Sequence, residues 1–264
     1  MSDDADRITN ARIHDVLLDG YSHLPFAHGG AAEKLIGVYP LASFHATAAR
    51  LFVRDVLDSL ASDPGGICQV LDLGSGFPGW PPYLHDIVET RQPEQARTVY
   101  CDNDPIVLGH ARAVLDEPAG ARVVPWDLEK PGLLDDPGVA GHLDLGEPVA
   151  VVLSGVLDCL SDTAAARLLR DLSGLARDSA VIVTTAACAD PATARLITLT
   201  MDSVAGGRWG QMRTLGQLTA LHPALRTLVC QPPVQHGLRT IHPERVKEST
   251  GPELMTGIVA PHQL

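Results

Sequence analysis

The chain has 264 residues, 45% hydrophobic and 20% charged, with a formal net charge of −12; that is one large globular domain, with room for at most a small appendage. The acidic balance, with Lys34, Lys130 and Lys247 as the only lysines and the arginines scattered, argues against a nucleic-acid partner, which would need clustered positive charge. No apolar run approaches the ~18 residues of a membrane span, and the acidic start Met1-Ser-Asp-Asp-Ala-Asp is unlike an export signal, so a cytoplasmic protein without a membrane partner is expected.

In chain order, the first sixty residues read as helices. Ile13, Val16 and Leu17 recur at helical spacing, as do Leu51, Phe52, Val56 and Leu60, until Asp63-Pro-Gly-Gly breaks the pattern. The rhythm then changes to alternating strands and helices. Strands are expected over 68–73, 98–101, 122–124, 149–153 and 181–185. Helices are expected over 82–92, from Asp104-Pro105 to about 115, from Ser161 or Asp162 to about 176, and over 191–204. Asp104 before Pro105 is an N-cap followed by proline in the first turn. After a break at Gly206-Gly207, a short helix is expected over 214–221 and late strands over 225–230 and 255–260. Continuous apolar strands alternating with helices predict an α/β protein, a doubly wound and mainly parallel sheet with a helical N-terminal extension. Residues 1–63 are expected to form a helical lid and 64–264 the sheet domain. The five cysteines are widely spaced and odd in number, which suggests buried thiols and no metal site.

Three features at successive strand ends point to a nucleoside. Asp72-Leu-Gly74-Ser75-Gly76 is a glycine turn after the first strand, where the backbone allows close approach of a ligand. Phe77-Pro78 stands where a dinucleotide fingerprint has its third glycine, so a pyrophosphate cradle is not expected. Asp102 ends the second strand, where an acid accepts from both hydroxyls of a ribose. Trp126-Asp127-Leu128 ends the third strand: the carboxylate can take an adenine amino proton between apolar walls. A nucleoside without a phosphate cradle suggests S-adenosylmethionine.

Val70-Leu-Asp-Leu-Gly-Ser-Gly-Phe-Pro resembles the first motif of class I S-adenosylmethionine-dependent methyltransferases, which have a Rossmann-like fold. More narrowly, Val99-Tyr-Cys-Asp-Asn-Asp-Pro-Ile-Val-Leu-Gly-His-Ala-Arg-Ala113 resembles an actinobacterial S-adenosyl methyltransferase group. The resemblance covers most of residues 7–230. It implies cofactor contacts for Gly74, Gly76, Asp102, Asn103 and Asp127, and a backbone role near Ser154-Gly155. It also implies that Arg12 pairs with the methionyl carboxylate of the cofactor. The chain departs from the group in the acceptor half: Asp19-Gly-Tyr-Ser-His-Leu24 replaces a Gly-Gly-Lys-Asp-Asn-Phe-like stretch, and Asp158 replaces a histidine.

Methyl transfer needs an aligned nucleophile, exclusion of water and a proton acceptor. Tyr21 and His23, in the altered segment, and Asp158, after the fourth strand, are the candidate catalytic groups. His14, His28 and His45 lie in the same N-terminal region. Methylation of a small molecule in specialised metabolism is the first expectation. The alternatives are cyclisation of S-adenosylmethionine itself to a small-ring amino acid, with release of methylthioadenosine, and a non-catalytic cofactor-binding module. Oligomeric state is left open.

Overall fold

The computed structural model describes residues 8–20, 25–63, 65–79, 81–115, 120–205, 209–230 and 251–264. Tyr21, His23 and the Gly206-Gly207 break lie outside these described residues. Helices α1 (Asn10–Leu17), α2 (Pro25–Val38) and α3 (Ala42–Ser62) come first. There follow β1 (Gln69–Leu73), α4 (Leu84–Arg91), β2 (Arg97–Asp102), α5 (Pro105–Val114), β3 (Ala121–Pro125), the single turn α6 (Pro137–Ala140) and β4 (Val149–Ser154). The chain continues through α7 (Asp162–Leu172), β5 (Ala180–Cys188), α8 (Pro191–Ala205), β6 (Arg213–Thr214), α9 (Leu215–Leu221), β7 (Val229–Cys230) and β8 (Glu253–Val259).

The strands form one sheet in the order β3-β2-β1-β4-β5-β8-β7, with β6 paired to β5. Strands β1 to β5 run parallel, and β8 is antiparallel to both β5 and β7. The order runs outward from β1 to β3 and then resumes on the other side of β1 with β4. That reversal opens a crevice at the carboxyl ends of β1 and β4, where open α/β sheets bind ligands.

The expected doubly wound architecture is therefore present, and the alternation of side chains explains it. Leu71, Leu73, Val99, Val151 and Leu153 face one apolar layer with Leu168, Leu169 and Leu172 of α7. Their neighbours Val70, Val152 and Ile182 face the opposite layer, built from Val53 and Leu57 of α3 and Ile87 and Val88 of α4. Helix α3 thus packs directly on the sheet. Ile13 and Leu17 of α1 pack with Leu35 of α2 and with Ile197 and Met201 of α8 in a separate cluster.

The caps follow the sequence: the Asp104 side chain accepts from Ile106 N, and the Ser161 side chain accepts from Ala164 N. One late strand is corrected. Residues Pro223–Thr227 form a 3-10 turn, and only Val229–Cys230 pair with β8. His222 accepts from Ala224 N, Pro223 presets the turn, and Thr227 Oγ1 donates back to Ala224 O, so local side-chain bonds overrule the apolar strand pattern. All five cysteines are free. Among the described residues, no helix is long and apolar enough to cross a membrane.

Candidate active site

A cleft of about 470 Å³ lies over the carboxyl ends of β1 to β4, covered by α1 and flanked by α3. Its floor is the glycine turn after β1. Gly74 (φ +65°) and Gly76 (φ +63°) are left-handed, a conformation that glycine adopts without strain. A Cβ at Gly76 would meet nothing within 4 Å, so this bend leaves open space beside the backbone. Asp102, at the end of β2, accepts from Gly76 N at 2.9 Å through Oδ2 and from Asp104 N at 2.9 Å through Oδ1. Burial pushes its pKa up, and the backbone donors oppose that shift. The Asn103 backbone N–H also favours the charged form, so the carboxylate sits among three backbone donors at the end of β2.

Beyond β3, Trp126, Asp127 and Leu128 line the same cleft. Asp127 Oδ1 accepts from Glu129 N at 3.0 Å. Glu129 in turn accepts from Ser161 N (2.7 Å) and Ser161 Oγ (2.8 Å), which ties this wall to the start of α7. Beyond β4, Ser154 exchanges a hydrogen bond with Thr184 at 3.0 Å, and Gly155 is again left-handed, at φ +68°.

Helix α1 is strapped over the cleft from both sides. Thr9 Oγ1 donates to Asp104 Oδ2 at 2.9 Å. Asn10 Nδ2 donates to Trp209 O at 2.7 Å and to Cys159 Sγ at 3.0 Å. The helix turns Ala11, His14, Asp15 and Leu18 into the cleft, a set at i, i+3, i+4 and i+7. His14 is placed with Nε2 3.6 Å from where a Cβ of Gly155 would stand. Its pKa falls to about 4, first through desolvation by the surrounding protein and second through the charge of Arg50. From α3, Arg50 and Arg54 line the cleft, and Arg50 is an electrostatic neighbour of Asp72 of β1. Burial drives the Asp72 carboxyl up to about 7, with Arg50 pulling it down and Asp102 pushing it up.

The structure brings together most of the residues picked from sequence: Asp72, Gly74, Ser75, Gly76, Asp102, Asn103, Trp126, Asp127, Leu128, Ser154 and Gly155 all line the cleft. Two do not. Arg12 is buried at 3% exposure and is not among the lining residues. Asp158 is a brace: its carboxylate accepts from Thr185 Oγ1 at 2.5 Å and from Ala186 N at 3.2 Å on β5. The sequence reading gives no role to Asp15, names His14 only among the N-terminal histidines, and meets Arg50 only as part of Ala49-Arg50, where the resembled group has an Asn-Arg pair; the helical spacing of His14 and Asp15 with Ala11 and Leu18 is the signal for the first two.

A Rossmann-like sheet with a glycine turn, a buried acid at the end of β2 and an aromatic–acid wall after β3 defines a methyltransferase of the class that uses S-adenosylmethionine. A model of the S-adenosyl methyltransferase family matches residues 2–248, and the chain belongs to that family. Among solved structures, it is similar to a candidate methyltransferase from Thermobifida fusca YX, with 27% identity over 96% of this chain and 94% of that one and a TM-score of 0.74. It is also similar to a DUF574 family protein from Streptomyces avermitilis MA-4680, with 25% identity over 96% and 98% of the two chains and a TM-score of 0.75. A search of curated proteins gives no match.

The protein is a methyltransferase, and its cofactor is S-adenosylmethionine. The cleft residues fit that group. Ser75 Oγ and Trp126 Nε1 are buried polar atoms with no hydrogen-bond partner among the described residues, at the glycine turn and at the wall after β3 respectively. Both residues line the cleft, where a polar ligand would supply the missing partner.

Proposed function

We propose that the enzyme methylates a nucleophilic oxygen or nitrogen of a small molecule, with His14 receiving the proton that the nucleophile gives up. The position of His14 in the cleft beside Gly155, at the switch point between β1 and β4, carries this reading. When bound, the cofactor supplies an activated methyl group on sulfur: the acceptor's lone pair forms the new bond to carbon as the carbon–sulfur bond breaks, leaving S-adenosylhomocysteine. Asp102 accepts from the ribose hydroxyls, Asp127 accepts from the adenine amine, and Trp126 and Leu128 cover the ring. Asn103 and the backbone of Gly74, Ser75, Gly76, Ser154 and Gly155 complete the cofactor's surroundings. Asp72 faces the methionyl ammonium.

With its pKa lowered to about 4, His14 is neutral over the physiological range and acts as a weak base, so its placement in the cleft and not its basicity supports the role. Tyr21 and His23 directly follow α1 in sequence, and we keep them as acceptor-side candidates. The cleft's cover by α1 favours a small acceptor over a macromolecule. The Arg-, Ala- and Gly-rich composition and the sources of the two solved relatives favour an actinobacterial setting, with specialised metabolism in the cytoplasm as the proposed context.

The test is product analysis by mass spectrometry, with S-adenosylmethionine alone and with panels of small phenols, amines and carboxylic acids. S-adenosylhomocysteine formed only with an added acceptor supports methyl transfer. Methylthioadenosine released from the cofactor alone would overturn it in favour of cyclisation.

A further inference from the structure

The cleft contains a cation that the nucleoside contacts do not use. Arg50 projects from α3 toward the turn that follows Gly76, and its guanidinium lies against the backbone of Gly79. A Cβ built on Gly79 would overlap Arg50 Nη1 and stand 2.7 Å from Cζ. Gly79 is not among the left-handed glycines, so what it supplies here is space. The last glycine of the Gly74-Ser-Gly-Phe-Pro-Gly79 run therefore makes room for a guanidinium.

Among the described residues, no acceptor takes a hydrogen bond from Arg50 and no carboxylate forms a close ion pair with it. Burial works against its charge and so does the neighbouring Arg54 cation, while Asp72, Asp15 and the Tyr100 hydroxyl favour it. A guanidinium carries five donors in a planar fork that matches a carboxylate, and leaving them unused in a partly buried site is costly. Asp72 stands beside it with a carboxylate of its own. An Arg and an Asp side by side at one end of a nucleoside cleft complement an α-amino acid zwitterion, the carboxylate on the Arg and the ammonium on the Asp.

We propose that Arg50, seated on Gly79, binds the α-carboxylate of the cofactor's methionyl end and so orients the sulfur toward the acceptor. This assignment rests on the cofactor placement given under Proposed function. It transfers to α3 the task that the resemblance gave to Arg12.

Calorimetry with two ligands separates the possibilities. S-adenosylhomocysteine carries the amino acid end, and methylthioadenosine lacks it. Arg50→Gln is expected to weaken S-adenosylhomocysteine about tenfold or more while leaving methylthioadenosine within about twofold. Arg50→Lys, which keeps the charge and loses the fork, falls between, and Gly79→Ala reproduces the selective loss by displacing the guanidinium. Retained methylthioadenosine affinity also shows that each variant is folded. If Arg50→Gln leaves S-adenosylhomocysteine affinity unchanged, or lowers both ligands equally in a protein that melts like the wild type, the assignment is overturned. Asp102→Ala is the control for the underlying placement: it should weaken both ligands, and if it weakens neither, the placement itself fails whatever Arg50 does.

Discussion

His14 of α1 and Gly155 after β4 are 141 positions apart in sequence, yet the imidazole Nε2 lies 3.6 Å from where a Gly155 side chain would begin. The pair joins the cover of the cleft to its floor. His14→Gln is expected to lower kcat by ~10²–10⁴-fold, the range of a lost general base, with S-adenosylhomocysteine affinity little changed. The wild-type kcat should stay flat down to about pH 5 and fall through the His14 pKa of about 4. An inflection near 6.5, where an unshifted imidazole titrates, would speak against His14 as the base. Steady-state kinetics from pH 4 to 9 read both effects.

Asp72 gives the apo protein a pH-dependent weakness. Its ordinary pKa of 3.8 rises to about 7 in the fold because burial opposes ionisation. A raised folded-state value means that its contribution to stability is complete below 3.8 and is lost as pH climbs through about 7. Asp72→Asn removes the charge, so the melting temperature of the variant relative to wild type should rise between pH 5 and pH 8.5. A difference that is constant over that range would contradict the buried, shifted carboxyl. Scanning calorimetry on ligand-free protein makes the comparison.

How far the sequence foretold this site depends on how local each signal is. Gly74, Gly76, Asp102 and Asp104 were legible because a strand end, a left-handed turn and a helix cap are each written within a few residues. Asp158 was assigned to chemistry because nothing nearby shows that Thr185 and Ala186, on the next strand, take up its carboxylate. Arg12, which does not line the cleft, is a different case. The apolar period of Ile13, Val16 and Leu17 shows that α1 is a helix, but the orientation of its other faces depends on packing against α2 and α8. Arg50 becomes interpretable only when folding lays α3 along the turn that ends in Gly79.

Arg213 holds one wall of the cleft from outside. It is 1% exposed; its guanidinium donates to Leu157 O, to Leu160 O at 2.7 Å and to Asp162 Oδ1 at 2.8 Å. Those carbonyls belong to the turn that carries Val156, Cys159 and Leu160 into the cleft. Arg213→Met should destabilise the protein by about 2–3 kcal/mol, because charged hydrogen bonds are lost while Asp162, which is largely exposed, returns to water. Urea unfolding measures this, and a cost under about 0.5 kcal/mol would mean that the turn holds itself.

A crystal structure with S-adenosylhomocysteine bound addresses the central claim most directly. The expected result has both ribose hydroxyls within hydrogen-bond distance of the Asp102 carboxylate, adenine beside Trp126 and Asp127, and the thioether sulfur between Gly74 and Gly155 on the side covered by His14. Density for the ligand away from the carboxyl ends of β1 and β2, or ribose hydroxyls that bypass Asp102, would contradict the account.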